Sequence, residues 1–537
     1  MKFFAVAVQI VPHATLYHFG VQTSKVHMAW MRTVCGRLKS DYRLGAWALG
    51  RMIFAIISGK ETLPMSTVLQ GKFPFRKTRN SCAVAVALMS LAASAVQFEV
   101  DFSKETGEIR RINGIQNSLP LSSSRGGAYR DILKPLEPPR THLHDDALLN
   151  PGYALVDVSR IFPLFHLDAD DPRNYNFKPT DDYIRPLIEA GIEIDFRLGE
   201  AIEHSDNLYR VNPPADFEKW ADICSHIIRH YNEGWADGFK WNIRYWSIWE
   251  EPDTNPTLLA GPDPFYGTYF QLYKTVAPIL KRRFPSIRIS GPQCATFPQH
   301  VKDFVAFCAK EKLPLDALGW THYPLRPEDM FSMTKEYRDV LDANGYADTE
   351  LNIVEWHYGP VAWSGHGTRK TKEHAAEWTR RLNSSDSGAF TAASLILMQD
   401  SPVSMMHFYS LKSDNWGLFD TSMQPQIHYY AMLAFAQLAH GKVRVAAPLN
   451  PKDGWYSLAS READGTGHLL VARFKANDTS RLKVKVAGGV RPVRVRLLDI
   501  TKPLEEISGW EWDAEQSLLK LPNSICEGAV WLVDFRP

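Results

Sequence analysis

From residue 113 to residue 440 the chain alternates short β-branched or aromatic runs with longer helix-like stretches, and this alternation constrains the fold more than any other feature. Strand-like runs fall at 112–116, 140–144, 192–198, 243–249, 287–290, 317–323, 351–356 and 404–409. Helical patterns stand between and after them at 180–190, 216–232, 265–283, 299–311, 327–343, 387–399 and 427–439, with 128–133 offering a short eighth. Strand followed by helix, repeated, requires parallel strands joined by crossover helices. Eight units in about 320 residues fit an α/β fold of the (β/α)8 TIM-barrel type with insertions. Gly191 follows one helical pattern where a left-handed helix stop is needed.

The texture changes after Gly441. Short runs such as 443–445, 469–474, 482–486, 493–498 and 530–535 replace the alternation, several with period two and with Gly, Pro, Asn and Asp between them. This pattern predicts an accessory antiparallel β-sandwich over 441–537. The strand-like segment Val96-Gln-Phe-Glu-Val-Asp-Phe102 lies ahead of the barrel, and residues 96–112 are expected to pair with the sandwich, leaving 113–440 as the barrel.

The 61 Lys/Arg and 60 Asp/Glu nearly cancel over 537 residues, which excludes a generally basic nucleic-acid binder. The balance is uneven along the chain. Residues 1–95 carry twelve Lys/Arg and two acids, leaving 49 Lys/Arg against 58 Asp/Glu in the rest. Within the basic leader, Lys72, Arg76, Lys77 and Arg79 precede an apolar run at 82–93 and a small-x-small site at Ala93-Ser94-Ala95. That order describes a signal peptide over 65–95, with Met65 as the expected start and 1–64 as an upstream extension. The apolar run is short of the ~20 residues needed to span a bilayer, so a secreted or periplasmic product without a membrane partner is expected. Beyond the leader, Cys224, Cys294, Cys308 and Cys526 show no metal-site spacing and are read as buried small hydrophobes, with one disulfide open to them in an oxidising compartment.

In a parallel barrel the chemistry gathers at the C-terminal ends of the strands. Two of those ends carry Glu beside aromatic residues: Tyr245-Trp-Ser-Ile-Trp-Glu250-Glu251-Pro252-Asp253 on the fourth strand and Leu351-Asn-Ile-Val-Glu355-Trp356-His357-Tyr358 on the seventh. A lone Glu there could cap a helix or pair with a core Arg. Two at converging ends beside Trp point to a pair of tuned carboxyls, as glycoside hydrolysis requires: one protonated to donate to the leaving oxygen, one ionised at the anomeric carbon. Flat Trp and Tyr faces suit sugar C–H groups.

These two stretches resemble the Trp-Asn-Glu-Pro and Glu-Trp signatures of the clan A glycoside hydrolases, and barrel followed by sandwich is similar to glycoside hydrolase family 39, the family of β-xylosidases and α-L-iduronidases. The resemblance implies Glu251 as acid/base and Glu355 as nucleophile. It implies a retaining, β-xylosidase-like reaction on the O-glycosidic bonds of poly- or oligosaccharides through a covalent glycosyl-enzyme. A related arabinosidase, β-glucosidase or endo-glycosidase, or a catalytically silent sugar-binding protein, stands as the alternative. The implied partner is a carbohydrate, with no cofactor, metal or nucleic acid.

Two features depart from the family pattern. Glu250 replaces the Asn that precedes the acid/base, adding a third negative charge and removing an amide donor. His322 and Tyr323 are adjacent, where strand alternation sends neighbours to opposite faces. Further candidates for substrate contact are His142 and His144 on the second strand, Arg197 on the third, Trp356 on the seventh, and Tyr409 and Trp416 after the eighth. His142, His144, Asp145 and Asp146 invite a metal reading, but no third ligand stands at a readable spacing, so no metal is expected.

Overall fold

The computed structural model describes residues 96–117, 133–143, 155–201, 212–253, 263–295, 297–359, 372–411, 416–448, 453–477 and 481–537. The signal-peptide and extension readings, the short helix expected at 128–133, and His144 with Asp145 and Asp146 lie outside these residues.

Strand β1 (Val96–Glu108) precedes eight strands that close into a barrel: β2 (Asn113–Gln116), β3 (Arg140–Leu143), β4 (Glu193–Leu198), β5 (Tyr245–Ile248), β6 (Arg288–Cys294), β7 (Ala317–His322), β8 (Glu350–Trp356) and β9 (Met405–Phe408). Every neighbouring pair is parallel, and β9 returns to β2. Each alternating unit of the sequence therefore becomes one strand and its return. The helices begin and end where local chemistry dictates. Asp216 caps Phe217–Asn232 by accepting from the backbone of Glu218 and Lys219 at 2.9 and 3.0 Å. Gly191, at φ +76°, ends the helix Lys178–Glu189, donating to the Ile188 carbonyl at 2.9 Å. A further helix, Lys372–Leu382, was not signalled by the sequence pattern: Lys372-Glu-His-Ala-Ala-Glu-Trp-Thr-Arg-Arg-Leu382 carries few apolar residues to set a period.

The barrel interior departs from the usual filling of Val, Ile and Leu. Near the N-terminal end, Arg140 lies over the Tyr245 ring at 3.5 Å and pairs with Glu193 at 2.7 Å, while the Tyr245 hydroxyl donates to Glu350 at 3.0 Å. Above them His142 and Asp195 stand directly opposite each other in the β3–β4 register. Buried ions of this kind persist only when paired. The interior is thus a stack of ion pairs leading up to the strand ends where Glu251 and Glu355 lie.

The remaining strands are β10 (Val443–Ala446), β11 (Trp455–Arg461), β12 (Gly467–Arg473), β13 (Leu482–Ala487), β14 (Arg491–Asp499), β15 (Lys502–Glu506), β16 (Glu511–Asp513), β17 (Leu518–Lys520) and β18 (Ala529–Arg536). With β1 they form one continuous ten-stranded sheet in the order β15-β14-β18-β12-β11-β10-β1-β13-β17-β16. All its pairings are antiparallel except β1 with β13. The sandwich is made by curling. Strand β1 sits four places from β18, roughly 19 Å along a flat sheet, yet the Phe102 and Phe535 rings approach to 4.8 Å. The two halves of the sheet therefore face each other across a core that includes Val484, Trp531 and Leu519.

Period-two alternation on β18 explains how sheet and barrel join. Trp531, Val533 and Phe535 enter the core inside the curl, whereas Val530 and Leu532 join the larger core shared with the barrel. The helix Ser385–Leu397 lies between them and is buried from Ser387 to Leu397, which accounts for its apolar residues on every side. Cys224, Cys294 and Cys308 are buried, Cys526 is half-buried, and all four are free thiols.

Candidate active site

Glu251 and Glu355 sit just past the end of β5 and near the end of β8, respectively, and both are buried. The backbone that delivers them is irregular. Trp249 (φ +69°) and Glu251 (φ +40°) both take the left-handed conformation that non-glycine residues avoid. Such conformations cost about 1–3 kcal/mol each and need surrounding contacts to hold them. Those contacts are present: Trp249 N–H donates to the Leu198 carbonyl at 2.6 Å, and Glu251 N–H to the Gln293 carbonyl at 3.2 Å. Gly199 (φ +142°) lies so close that a Cβ would come 3.0 Å from the Trp249 Cα.

Two β-bulges shape the same rim. In β8, Trp320 pairs with Ile353 and Thr321 with Glu355, so Val354 is an extra residue just before the glutamate. In β6, Gln293 is extra against β7, and its carboxamide occupies the space where a side chain on Gly319 would begin. A bulge re-aims the side chains that follow it. Here the strand ends turn their polar groups toward one another.

Glu355 accepts hydrogen bonds from Gln116 Nε2 at 3.0 Å and from the Tyr323 hydroxyl. Burial first, then the charges of Glu355 and Glu250, push the Glu251 carboxyl well above its ordinary value, against a smaller lowering by Thr321. One carboxyl is therefore held protonated beside another that is supplied with donors.

Glu250 enters a second array. His142 Nε2 lies 2.9 Å from Glu250 Oε2, and its Nδ1 lies 3.4 Å from Asp195 Oδ2, with all three side chains fully buried. Burial works to lower the His142 pKa, but Glu250 and Asp195 override it and hold the value raised to about 10. The imidazolium sits between two carboxylates. The extra charge that Glu250 brings is thus met by a cation two strands away, while Glu250 still raises Glu251.

The other expected contact residues divide. Tyr323 reaches the carboxylates, and its ring meets Trp416 at 5.4 Å and Tyr409 at 6.4 Å, so these three line one wall of the site. Thr321 and Tyr323, two apart, share the carboxylate face, and alternation sends His322 the other way; burial lowers its pKa to about 4 and leaves it neutral. Trp356 is turned away from Glu355 into the layer between barrel and helices, against Phe408 at 5.2 Å and Phe390 at 6.3 Å, so it is a core residue rather than a sugar platform. Arg197 pairs with Asp157 at 2.6 Å, both fully buried, and Asp157 also accepts from the Ala201 backbone at 2.7 Å. It braces the loop after β4. Gln116, Thr321 and Asp195 were not anticipated; the period-two spacing of Thr321 from Tyr323 was the signal that could have found one of them.

The structure is thus a closed parallel barrel with two buried carboxyls at the ends of its fourth and seventh strands. Residues 142–352 match the model for glycosyl hydrolases family 39. The match includes Glu251 and stops three residues before Glu355, which the fold brings in. A second model, the MmeI target recognition domain, matches residues 3–47, outside the described residues.

The chain is 26% identical over 247 residues to a β-xylosidase of Geobacillus stearothermophilus, an alignment covering 39% of this chain and 47% of that protein. It is 26% identical over 204 residues to a β-xylosidase of Caldicellulosiruptor saccharolyticus, covering 36% and 40%. The chain thus spans about half or less of the length of the curated relatives it matches. Among solved structures, a glucosidase from Croceicoccus marinus shares the fold with TM-score 0.65 at 22% identity, over 82% of this chain and 99% of the other. A monomeric β-xylosidase from Caulobacter crescentus does so with TM-score 0.60 at 14% identity, over 82% and 100%.

Proposed function

We propose that this chain is a retaining, β-xylosidase-like glycosidase in which Glu251 is the acid/base and Glu355 the nucleophile. The observation that carries the reading is the unequal treatment of two neighbouring carboxyls: Glu251 is kept protonated by burial and by its neighbours' charge, while Glu355 accepts from Tyr323 and Gln116. Donors of that kind favour the ionised form. Glu251 gives its proton to the glycosidic oxygen as the bond to the anomeric carbon breaks. Glu355 attacks that carbon from the opposite side, and a retaining reaction asks for the two carboxyls to stand about 5–5.5 Å apart.

Esterified Glu355 carries no charge, so its repulsion of Glu251 ends and the Glu251 pKa falls. Glu251 then takes a proton from the water that attacks the glycosyl-enzyme, and two inversions restore the starting configuration. Tyr323, Tyr409 and Trp416 supply flat faces on the Glu355 side for the sugar being cleaved, and Glu250, fixed by His142, offers an acceptor to one of its hydroxyls. The β-xylosidase relatives favour a xyloside as substrate. Export through residues 65–95 belongs to the same proposal, and amino-terminal sequencing of the secreted protein is expected to begin at Val96.

The test is a hydrolysis screen of nitrophenyl xylosides, arabinosides, glucosides and galactosides, with the first-formed anomer read by NMR. The expected result is turnover with retention, abolished in Glu355→Ala and restored to that variant by azide. Full activity in both Glu251→Ala and Glu355→Ala would end the proposal. Sugar binding without turnover across the whole screen would favour a silent binding protein.

A further inference from the structure

Among the described residues, the exposed large aromatic side chains are Phe297, 60% exposed, and Tyr266, 41% exposed. Both occupy the C-terminal face of the barrel. Tyr266 lies in the turn Pro264–Tyr269 that opens the return from β5, and Phe297 immediately precedes the helix Pro298–Glu311 that follows β6. They flank one imidazole: the His300 ring lies 5.1 Å from Phe297 at 77° and 5.5 Å from Tyr266 at 87°. Phe265 packs against the same ring at 4.8 Å. Three side chains from two neighbouring strand ends thus form a small aromatic surface open to water.

This surface is tied to the acid. His300 Nδ1 lies 2.9 Å from Asp253, whose other oxygen accepts from the Ala295 backbone at 2.9 Å. Asp253 is buried at the side chain, stands two residues after Glu251 and is near enough to repel its charge. With Asp253 at Nδ1, the imidazole has Nε2 left to meet a ligand. The sugar-binding wall of Tyr323, Tyr409 and Trp416 belongs to the strand ends around Glu355. The two aromatic groups therefore rise from different strand ends, one from the loops after β5 and β6 and the other from those around β8.

We propose that Phe297, Tyr266 and His300 form the subsite for the leaving group, taking a pyranose ring with equatorial hydroxyls on the acid's side of the broken bond. The inference rests on the assignment of Glu251 as the proton donor, because the group that receives the proton must leave on that side. A ring whose hydroxyls all lie equatorial presents C–H groups on both faces, which suits an aromatic side chain otherwise left in water, while its hydroxyls, each donor and acceptor, can pair with His300 Nε2. Specificity for a saccharide over a small alcohol would then be set here, away from the carboxyls.

The experiment compares kcat/KM for β-1,4-xylotriose with that for methyl β-xyloside, in the full chain and in Phe297→Ala, Tyr266→Ala and Phe297→Trp. Phe297 and Tyr266 are exposed, and substitutions at such positions leave folding intact. The ratio of the two substrates is expected to fall about tenfold in either Ala variant, carried by KM for xylotriose, and to be kept by Phe297→Trp, which retains a flat face. An unchanged ratio, or a loss as large in Phe297→Trp as in Phe297→Ala, overturns the proposal. If the wild-type chain hydrolyses neither glycoside, the glycosidase reading has failed separately, and the subsite is judged by titrating xylotriose. Weaker binding by Phe297→Ala then supports it, and equal affinity or no binding by the wild type overturns it.

Discussion

Two buried ionisable clusters in this molecule use the same residue types to opposite ends. In the curled sheet, Asp534 accepts from His468 Nδ1 at 3.0 Å, Arg494 Nε at 2.6 Å and Arg496 Nη2 at 2.7 Å. His468 and Arg494 stand directly across from Asp534 in the registers of β12 and β14, so strand pairing itself assembles the cluster. Burial alone would raise the Asp534 pKa, yet His468, Arg496 and Arg494 hold it below the ordinary carboxylate value. At the barrel rim, Glu251 has carboxylates for neighbours, and its pKa goes up. A structural cluster surrounds each charge with its opposite. A reactive one keeps like charges close and has the fold hold them there.

The contrast predicts where each substitution is felt. The largest effect is expected for Glu251→Ala, which should lower turnover of an alkyl glycoside about 10³-fold, the range for loss of a positioned general acid. A dinitrophenyl glycoside, whose leaving group needs no proton, should lose far less in its first step. kcat/KM on the two substrates, which reports that first step, checks this, and equal losses would remove Glu251 from the role of acid. Next in size, Asp534→Asn leaves Arg496 and His468 facing each other without their shared anion and should destabilise the fold by about 3 kcal/mol. Chemical denaturation measures it, and hydrolysis by the folded fraction should not change.

A smaller loss is expected for Tyr323→Phe. The phenol donates to Glu355, and a hydrogen bond to a charged group contributes about 1.5–3 kcal/mol. Turnover should fall roughly 10- to 100-fold, while thermal stability moves little. A loss of stability in place of turnover would mean that Tyr323 serves the core.

Much of this comparison could be read along the chain, and its limits are physical. Strand runs and helix periods are local, so all eight barrel strands and seven of the helices were legible, as were the two Glu-bearing strand ends. Register is not local. Nothing in Glu250 or His142 alone announces that they meet at 2.9 Å, nor that Asp195 stands on the other side of the imidazole. The bulge at Val354 escapes a period-two reading because it is one residue added to a strand whose partner lacks it. Trp356 next to Glu355 suggested a sugar platform, but adjacent residues on a strand face opposite ways, and that rule puts Trp356 in the core. The sheet was read as a sandwich from its strands, while its single curled path depends on which edges pair, a property of the whole set.

The smallest effect has the sharpest sign. Glu355→Gln removes one of the charges that raise Glu251, so it should inactivate the site and yet stabilise the fold, by about 1 kcal/mol or some 2 °C in Tm. The pH dependence follows from the direction of the shift. A carboxyl whose folded pKa is raised contributes stability that is fully present below the ordinary carboxyl value and is lost as pH climbs through the raised one. In Glu355→Gln the Glu251 pKa falls toward normal and that loss shrinks. The advantage of the variant over wild type should therefore be small at acid pH, grow as pH rises past the ordinary carboxyl range, and level off above the wild-type Glu251 pKa. Asp534→Asn should behave in the opposite sense: the pKa of Asp534 is depressed, so its contribution exists above the ordinary value and its removal costs least in acid. Thermal unfolding of both variants across pH 4–9 separates the two kinds of cluster, and a Glu355→Gln curve lying below wild type throughout would show that the rim carboxyls hold no stored repulsion.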